Sequence, residues 1–255
     1  VSGLLFALPL LKGDSEIIIT SPLESASYVD MTLNCLAKYG VKVENVDGAH
    51  RHYLVPGKQH FKAQDSKVEG DWSQAAFWTV GGALGAGITA SGVDFASLQG
   101  DKAVVEIMQR MGADIAKNAG SVNSSATQAT VIDASNCPDI IPVLTVLAAV
   151  SEGTMKIINA GRLRIKECDR LAAITSELNK MGAAITEEAE GLTITGKPEG
   201  LRGGVEADAW NDHRIAMSLA IAAQCCAEPI ALTGAGSVST VSYTHLRAHE
   251  TKANL

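Results

Sequence analysis

The sequence predicts a mixed α/β (α+β) fold of repeated strand-helix-strand-helix units, with buried helices and outer sheets. One pattern occurs three times along the 255 residues: a helix that ends in an aromatic residue or Met, then Gly, then a short apolar strand. The glycines of the three copies, Gly40, Gly112 and Gly182, are almost evenly spaced. Between the copies lie helices that are apolar on nearly all sides, and such helices must be buried on more than one side. We therefore expect an interior layer of helices with sheets outside it.

The first unit begins with an apolar helix, a chain reversal and a strand, as predicted by GLLFALPLLKGDSEIIIT. The first copy of the repeated pattern follows in LNCLAKYGVKVEN, with an apolar stripe at helical spacing and Gly40 as a left-handed helix stop. The stretch from about Ala49 to Lys67 is polar and contains a Pro-Gly pair. We expect a connection here, with a domain boundary between residues 66 and 67.

The rest of the chain continues this alternation. Three segments each predict an apolar helix, a chain reversal and a strand: WSQAAFWTVGGALGAGITASGV, IIPVLTVLAAVSEGTMKIINA and DHRIAMSLAIAAQCCAEPIALTG. The second and third copies of the repeated pattern are VVEIMQRMGADI and ITSELNKMGAAI. Their apolar residues recur at helical spacing: Val104, Ile107, Met108 and Met111, then Leu171, Ile174, Leu178 and Met181.

Composition argues against nucleic acid as a partner, although a small anion remains a suitable ligand. The formal net charge is -7 and only 4% of residues are aromatic, whereas polyanion binding needs clustered Lys and Arg, and base stacking needs aromatic side chains. The five cysteines are odd in number and lack CxxC spacing, so a reducing cytoplasm is expected, without disulfides or zinc. The apolar start, Val1 to Leu11, is too short to span a bilayer and lacks the basic flank of a signal peptide.

The densest cluster of charges is GRLRIKECDRLAA, at a predicted strand-to-helix junction. It contains four cations, which favour an anionic ligand: Arg162, Arg164, Lys166 and Arg170. If the helix begins near Lys166, then Lys166 and Arg170 share one face and Glu167 lies one turn from Arg170. The unpaired N–H groups of a helix start would help to hold a phosphate or carboxylate. The alternative is a solvated charged helix start with local ion pairs.

Two further helix starts carry charged groups. Arg214 lies in the first turn of an apolar helix, so its guanidinium must either reach solvent or find an anion. Asp212 is expected to cap that helix, and His213 to be structural. Asp139 follows a Cys-Pro pair at the start of another apolar helix. It is either a first-turn carboxylate that favours the helix or a general base that faces a cleft.

Ser25 and Tyr28 stand at the start of the first patterned helix, the place that the cationic cluster occupies in the third copy. Capping by Ser25 and packing by Tyr28 are the structural alternatives. His50, His52 and His60 have no carboxylate or cysteine pattern around them, so we expect surface residues and no metal.

Two segments together resemble the 3-phosphoshikimate 1-carboxyvinyltransferase (EPSP synthase) family: LRIKECDRLAAITSELNKMGAAI and, later in the chain, NDHRIAMSLA. The resemblance runs from about Val1 to Ser239 and includes PLESASYVDMTL, VEGDWSQAAF, SLQGD and PDIIPVLTVLAAV in the family's order. It implies the two-domain enolpyruvyl transferase fold, with three repeats in each domain and an active site in the cleft between them. On that basis residues 1–66 are the last repeat of the N-terminal domain and residues 67–240 are most of the C-terminal domain.

The activity that the resemblance implies is transfer of the carboxyvinyl group of phosphoenolpyruvate to the 5-hydroxyl of shikimate 3-phosphate, with release of phosphate, in aromatic amino-acid biosynthesis. It implies no metal or organic cofactor, a cytoplasmic location and a monomer at full length. Asp139 matches the family's proposed base, and Glu167 a candidate proton carrier. The remaining matches line the substrates: Arg170 and Arg214 for phosphoenolpyruvate, and Lys166, Ser25 and Tyr28 for shikimate 3-phosphate.

Three departures from the family pattern bear on activity. The family's substrate-binding Ser-Ser-Gln would precede Val1, Arg162 stands where some relatives have a substrate-binding Asn, and the family's terminal Lys is replaced by Thr240 or Val241. Residues 241–255 resemble translated adapter read-through and are expected to lack native packing. Because closure of two domains assembles such a site, we expect the fragment itself to be inactive.

Two alternatives to this function remain. UDP-N-acetylglucosamine 1-carboxyvinyltransferase shares the fold and the phosphoenolpyruvate chemistry, but it lacks the pairing of KExDR with DHR that this sequence contains. The other alternative is a non-catalytic anion-binding fragment, since the periodicity alone would permit a generic anion-binding or structural repeat protein.

Overall fold

The computed structural model describes residues 1–86, 88, 90–116, 121–123 and 130–240. Its α-helices are α1 (Ser2–Ala7), α2 (Ala26–Lys38), α3 (Trp72–Gly81), α4 (Ala103–Arg110), α5 (Ile141–Ala149), α6 (Arg170–Lys180) and α7 (His213–Ala222). Its strands are β1 (Ser15–Ile18), β2 (Glu44–Asn45), β3 (His52–Val55), β4 (Asp114–Ala116), β5 (Ser121–Asn123), β6 (Val131–Asp133), β7 (Thr154–Ile158), β8 (Ala184–Glu188), β9 (Gly191–Thr195), β10 (Leu201–Gly203), β11 (Glu206–Asp208), β12 (Cys226–Glu228) and β13 (Ala231–Thr233). The expectation for residues 241–255 concerns residues outside this described part.

The predicted fold class is confirmed, since apolar helices are covered by sheets and by one another. All nine residues of α5 are buried, and α5 packs against α3, α6 and α7. A four-stranded sheet in the order β6-β7-β9-β8 lies beside α5, with β6 and β7 parallel and the other pairs antiparallel. Three two-stranded sheets complete this part of the chain: β4-β5, β10-β12 and β11-β13.

The N-terminal part is built on an antiparallel sheet in the order β1-β3-β2, with α1 and α2 packed together. Tyr53 and Val55 of β3 are fully buried, while Leu54 between them is exposed. The expectation that the chain from about Ala49 to Lys67 is a polar connection is therefore wrong at its beginning. The alternation of HYLV was the signal for a strand, because successive strand residues point to opposite faces.

The three repeat glycines act as predicted. Gly40, Gly112 and Gly182 have φ angles of 80°, 88° and 102°, and each stands two residues after the last residue of its patterned helix. Such angles strain any residue with a Cβ atom, so glycine permits the abrupt helix end before the strand that follows.

One predicted strand is missing from the described residues. After α3 the chain forms a helical turn at Gly82–Ala86, with Gly85 at φ 96°, and no strand follows in residues 88 or 90–99. The segment GGALGAG is rich in glycine, which disfavours strands because it gains little from side-chain packing.

The buried apolar residues form two clusters. The first extends from Leu5 to Val55 and the second from Trp72 to Val238. Among the described residues, no helix is both long and apolar enough to cross a bilayer. The starts of α2, α5, α6 and α7 come together between the two clusters, where side chains from both parts of the chain meet.

Candidate active site

Arg170, the first residue of α6, is the centre of the candidate site. Its side chain is 1% exposed. Its Nη1 lies 2.8 Å from Asp139 Oδ1, its Nη2 2.6 Å from Glu167 Oε2, and its Nε 2.7 Å from Asp212 Oδ2. Burial alone would lower the pKa of Arg170, but these carboxylates raise it above its ordinary value. The guanidinium therefore stays charged inside the protein because three acceptors satisfy it.

The segment before α6 brings Lys166 to the same carboxylate. Because α6 begins at Arg170, with the side chain of Asp169 as its cap, the expectation that the helix begins near Lys166 is wrong. Lys166 has an extended backbone and follows a 3-10 turn at Gly161–Ile165. Its Nζ lies 3.4 Å from Asp139 Oδ1. Lys166 and Arg170 thus converge on Asp139 from different backbone conformations, not from one helix face.

Arg164 fastens this segment to the β8-β9 hairpin. Its Nη1 lies 2.9 Å from Asp169 Oδ2 and 2.6 Å from Glu187 Oε1. Its Nε and Nη2 donate to the main-chain carbonyls of Ala189 and Glu188, at 3.1 Å and 2.7 Å. For this member of the cationic cluster, local ion pairing is the correct interpretation.

Asp139 is the point at which the cations meet. It lies in the turn before α5 and is 8% exposed. In addition to Arg170 and Lys166, Arg214 Nη2 lies 3.5 Å from its Oδ2, and the hydroxyl of Tyr28 donates to Oδ2 at 3.2 Å. Burial alone would raise the pKa of Asp139, but the charges of the three cations lower it to about 2. At neutral pH Asp139 is therefore an ionised carboxylate, directed at the cations.

Asp212 joins the two buried arginines. Its Oδ1 accepts from the main-chain N–H of Arg214 at 2.8 Å, which confirms the predicted helix cap, while its Oδ2 accepts from Arg170. Arg214 is 9% exposed, and its Nη1 donates to the main-chain oxygen of Asp139 at 3.3 Å. Beside it His213 is buried, and burial lowers the pKa of His213 and so favours the neutral imidazole.

Ser25 and Tyr28 bring the start of α2 to this cluster. Ser25 occupies the cap position with φ 54°, but its side chain makes no cap hydrogen bond, so the capping alternative is wrong. Its Oγ instead accepts from Arg162 Nη1 at 3.1 Å, and its main-chain N–H donates to Ser135 at 3.3 Å. Tyr28 is 44% exposed, so packing does not account for it. Burial raises the pKa of Tyr28, so the side chain is a neutral phenol. Its hydroxyl therefore donates a hydrogen bond to Asp139.

Asp101 is a further candidate site residue, which no sequence pattern indicated. It is 4% exposed, accepts a hydrogen bond from the hydroxyl of Ser73, and lines a cleft together with Tyr28 and Arg214. Burial raises the pKa of Asp101 to about 6. Its motif, SLQGD, offered no local sign of this role, since the partners come from other parts of the chain.

Tyr28 lines two clefts. One has a volume of about 520 Å³, and its charged and polar walls include Glu24, Ser25, Tyr28, Arg162 and Lys166. The other has a volume of about 410 Å³, and its walls include Tyr28, Ser73, Asp101 and Arg214. Volumes of this size suit small ligands. No three His, Cys, Asp or Glu side chains of the described residues are arranged to hold a metal ion.

The arrangement favours the binding of small anions. The cations Lys166, Arg170 and Arg214 converge within 3.5 Å of Asp139 at helix starts and turns, where main-chain N–H groups add partial positive charge. Guanidinium groups bind phosphate and carboxylate through paired hydrogen bonds. The fold and the site together define the class: an α/β protein with a site whose cations suit small anionic ligands.

The comparison with protein families identifies the family within this class. Residues 1–248 match the family model described as EPSP synthase (3-phosphoshikimate 1-carboxyvinyltransferase), so the chain belongs to the EPSP synthase family. The resemblance found in the sequence is thereby confirmed. The alternative assignment to the UDP-N-acetylglucosamine enzyme is not favoured.

Relatives and solved structures agree with this assignment. The chain is 54% identical over 240 residues to the 3-phosphoshikimate 1-carboxyvinyltransferase of Clostridium kluyveri, covering 93% of this chain and 55% of that protein. It is 51% identical over 239 residues to the Clostridium acetobutylicum protein of the same name, covering 94% and 55%. The EPSP synthase structure from Acinetobacter baumannii is similar with a TM-score of 0.81 at 26% identity, covering 97% of this chain and 59% of that one. The chain spans about half the length of the curated relatives it matches.

Proposed function

We propose that this chain is part of an enzyme that transfers the carboxyvinyl group of phosphoenolpyruvate to the 5-hydroxyl of shikimate 3-phosphate and releases phosphate. The observation that carries the proposal is the convergence of Arg170, Arg214 and Lys166 on the buried carboxylate of Asp139, between two clefts. Membership of the EPSP synthase family supports it. Both substrates are small anions, as the charges require.

The two clefts divide the substrates between them in this proposal. Shikimate 3-phosphate occupies the cleft lined by Ser25, Tyr28 and Lys166, because a hydroxyl pair and an ammonium group suit a sugar phosphate. Phosphoenolpyruvate occupies the cleft lined by Arg214 and is held by Arg214 and Arg170, whose guanidinium groups suit its phosphate and carboxylate. Arg170 does not line that cleft in the structure but contacts the same carboxylate as Arg214, that of Asp139. Tyr28 lines both clefts, so the two substrates would meet beside it.

The chemistry then follows as addition and elimination. The sugar 5-hydroxyl loses its proton and attacks C2 of phosphoenolpyruvate while C3 gains a proton. The tetrahedral intermediate then loses phosphate by cleavage of the C2–O bond and loses a proton from C3, which restores the carbon–carbon double bond. Asp139 is the proposed base for the hydroxyl proton, and Glu167, whose side chain is 50% exposed beside Arg170, is the proposed proton carrier to C3.

The pKa of Asp139 adds a condition to this role. A carboxylate with a pKa of about 2 is a weak base, and its low value comes from three neighbouring cations. When phosphate and carboxylate groups of the substrates occupy those cations, their negative charge opposes ionisation of Asp139 and raises its pKa. Substrate binding would therefore convert a paired carboxylate into a base.

The remaining features of the whole protein are proposals of the same kind. We propose a domain boundary between residues 66 and 67, supported by buried clusters that end at Val55 and begin again at Trp72. We also propose that the enzyme works in the cytoplasm as a monomer without metal, organic cofactor, nucleic acid or membrane. Anion binding without catalysis by this chain alone is the alternative, and membership of the EPSP synthase family does not favour it.

Calorimetric titration tests the proposal. This chain and a version lengthened at both ends to the length of its relatives are titrated with shikimate 3-phosphate and then with phosphoenolpyruvate. We expect the lengthened protein to bind phosphoenolpyruvate, and Arg214→Met to weaken that binding about 100-fold, because a buried anion loses a charged partner.

Arg110→Met is the matched control, since Arg110 is an exposed arginine paired with Glu106 outside the site. Equal loss of binding in both variants would show that overall charge, not the site, attracts the ligand. If neither form of the protein bound either compound, the proposed function would be wrong. Binding by this chain without turnover would support the anion-binding alternative for it.

A further inference from the structure

A buried carboxylate outside the anion cluster holds the chain that leads into α7. Glu177 of α6 is 1% exposed. Its Oε2 accepts from the main-chain N–H of Asp208 at 3.0 Å, and its Oε1 accepts from Trp210 Nε1 at 2.9 Å. Lys180 Nζ lies 2.8 Å from each oxygen and neutralises the carboxylate from the solvent side. These two bonds therefore connect α6 with the last residue of β11 and with the turn after it.

The segment that Glu177 contacts has an unusual backbone. Between Asp208 and Asp212, the consecutive residues Trp210 and Asn211 have φ angles of 51° and 53°. Two adjacent non-glycine residues in the left-handed region are strained and persist only when their surroundings hold them. The hydrogen bonds that Glu177 accepts from Asp208 and Trp210 hold the beginning of this segment, which we name the 208–212 loop.

The end of the 208–212 loop is held by the same helix. Arg170 Nε donates to Asp212 Oδ2 at 2.7 Å, and Arg170 lies about two helical turns before Glu177, on the same face of α6. The loop is thus fixed to α6 at both ends. Its last residue, Asp212, also caps α7 through the N–H of Arg214. The position of the loop consequently sets the distance between the two arginines.

We propose that Glu177 is a positioning residue, which holds the 208–212 loop so that Arg170 and Arg214 keep the spacing needed to bind phosphoenolpyruvate. The proposal rests on the proposed function for the identity of the ligand. It assigns Glu177 no contact with substrate. It also predicts a selective effect, because Ser25, Tyr28 and Lys166 have no hydrogen bond or ion pair with the 208–212 loop among the described contacts.

Three variants separate the contacts of Glu177. Glu177→Gln keeps the size of the side chain but removes the charge and one acceptor. Trp210→Phe keeps the ring and removes only the Nε1–H donor. Lys180→Met is the matched control, because it removes the ion pair and leaves both bonds from Glu177 to the loop in place.

Two measurements are made. Amide hydrogen exchange on this chain compares residues 206–216 with the β8-β9 hairpin, residues 184–195. Steady-state kinetics on the lengthened protein gives kcat and the KM for each substrate. We expect Glu177→Gln and Trp210→Phe to speed exchange in residues 206–216 and to raise the KM for phosphoenolpyruvate about tenfold, with the KM for shikimate 3-phosphate within about twofold of wild type. Lys180→Met lowers the unfolding free energy because the buried carboxylate loses its cation, but it should change neither measurement by more than about twofold, since both hydrogen bonds to the loop remain.

Unchanged exchange in residues 206–216 of both test variants would overturn the proposal, as would an equal rise of both KM values. Equal effects in Lys180→Met would also overturn it, because they would trace to lost stability. If Glu177→Gln does not fold, Trp210→Phe decides the question. A wild-type protein without turnover would instead refute the proposed function, and the exchange measurement would still decide whether Glu177 holds the loop.

Discussion

Replacing Asp101 by Asn should stabilise the protein at neutral pH and lose this advantage in acid. Asp101 is 4% exposed, and burial raises its pKa from 3.8 to about 6. A carboxyl group whose pKa is higher in the folded state than in the unfolded state holds its proton more tightly when folded. Stability therefore falls as pH rises through the window between about 4 and about 6, and the penalty remains constant above it.

The magnitude follows from that pKa difference. The interval between 3.8 and about 6 corresponds to about 3 kcal/mol of unfolding free energy at pH values above the window. Asn keeps an oxygen that can accept from the hydroxyl of Ser73 but carries no charge to bury. The unfolding free energy of Asp101→Asn minus that of wild type should therefore be about 3 kcal/mol larger at about pH 8 than below about pH 4.

Urea unfolding followed by circular dichroism at several pH values between about 4 and 8 measures this difference. Asp65→Asn, at an exposed position, controls for the removal of one negative charge from the chain. A difference between Asp101→Asn and wild type that stays constant across this pH range would refute the reasoning. A difference that grows toward acid would show that Asp101 is stabilised as an anion.

Three further substitutions test other parts of the structure. Arg170→Lys keeps the charge but cannot bridge three carboxylates. We expect it to lower the unfolding free energy, measured with urea, by about 3 kcal/mol and to weaken phosphoenolpyruvate binding, measured by calorimetry, at least about 100-fold. The control Arg110→Lys should do neither. Tyr28→Phe removes the hydrogen bond to Asp139, so the dissociation constant of shikimate 3-phosphate should rise about tenfold, with a change in unfolding free energy no larger than about 1 kcal/mol. A larger loss of stability would mean that the tyrosine is structural. Gly182→Ala places a Cβ at φ 102° and should destabilise the chain by about 1–2 kcal/mol. The control Gly3→Ala in α1, where a Cβ would meet open space, should not destabilise it. Equal losses of stability in urea unfolding would contradict the assigned role of the repeat glycine.

Much of the fold was accessible from the sequence because its signals are local. Helical stripes, the glycine stops and the apolar helices each depend on residues within one or two turns. The strand predicted after α3 does not form in the described residues 88 and 90–99; the repeat suggested it, while the glycine content of the preceding GGALGAG opposed it. Strand β3 was missed because the Pro-Gly pair that follows it indicated a connection between elements.

The residue types of the candidate site could be predicted from the sequence, but not which side chains contact one another. Asp212 was identified as a helix cap from its position, yet its bond to Arg170 joins residues far apart in the chain. The start of α6 was misplaced because Arg164 holds the preceding segment to the β8-β9 hairpin, a contact that no local pattern reveals. Asp101 was missed for the same reason, since its environment is made by Ser73, Tyr28 and Arg214.

The positive and negative charges of the site balance one another. Asp139, Glu167 and Asp212 satisfy Arg170, and Asp139 also satisfies Lys166 and Arg214. An incoming anion must therefore compete with carboxylates for the cations, so binding is expected to depend on several groups together. This coupling also means that single substitutions will not give additive effects.

Release of inorganic phosphate from phosphoenolpyruvate tests the central claim most directly. The lengthened protein is incubated with phosphoenolpyruvate alone, with shikimate 3-phosphate alone and with both, and phosphate is measured over time. We expect release only with both substrates, and a rate at least about 100-fold lower in Asp139→Asn, because the base is lost. No release by the wild-type protein, or release that does not depend on shikimate 3-phosphate, would contradict the proposed carboxyvinyl transfer.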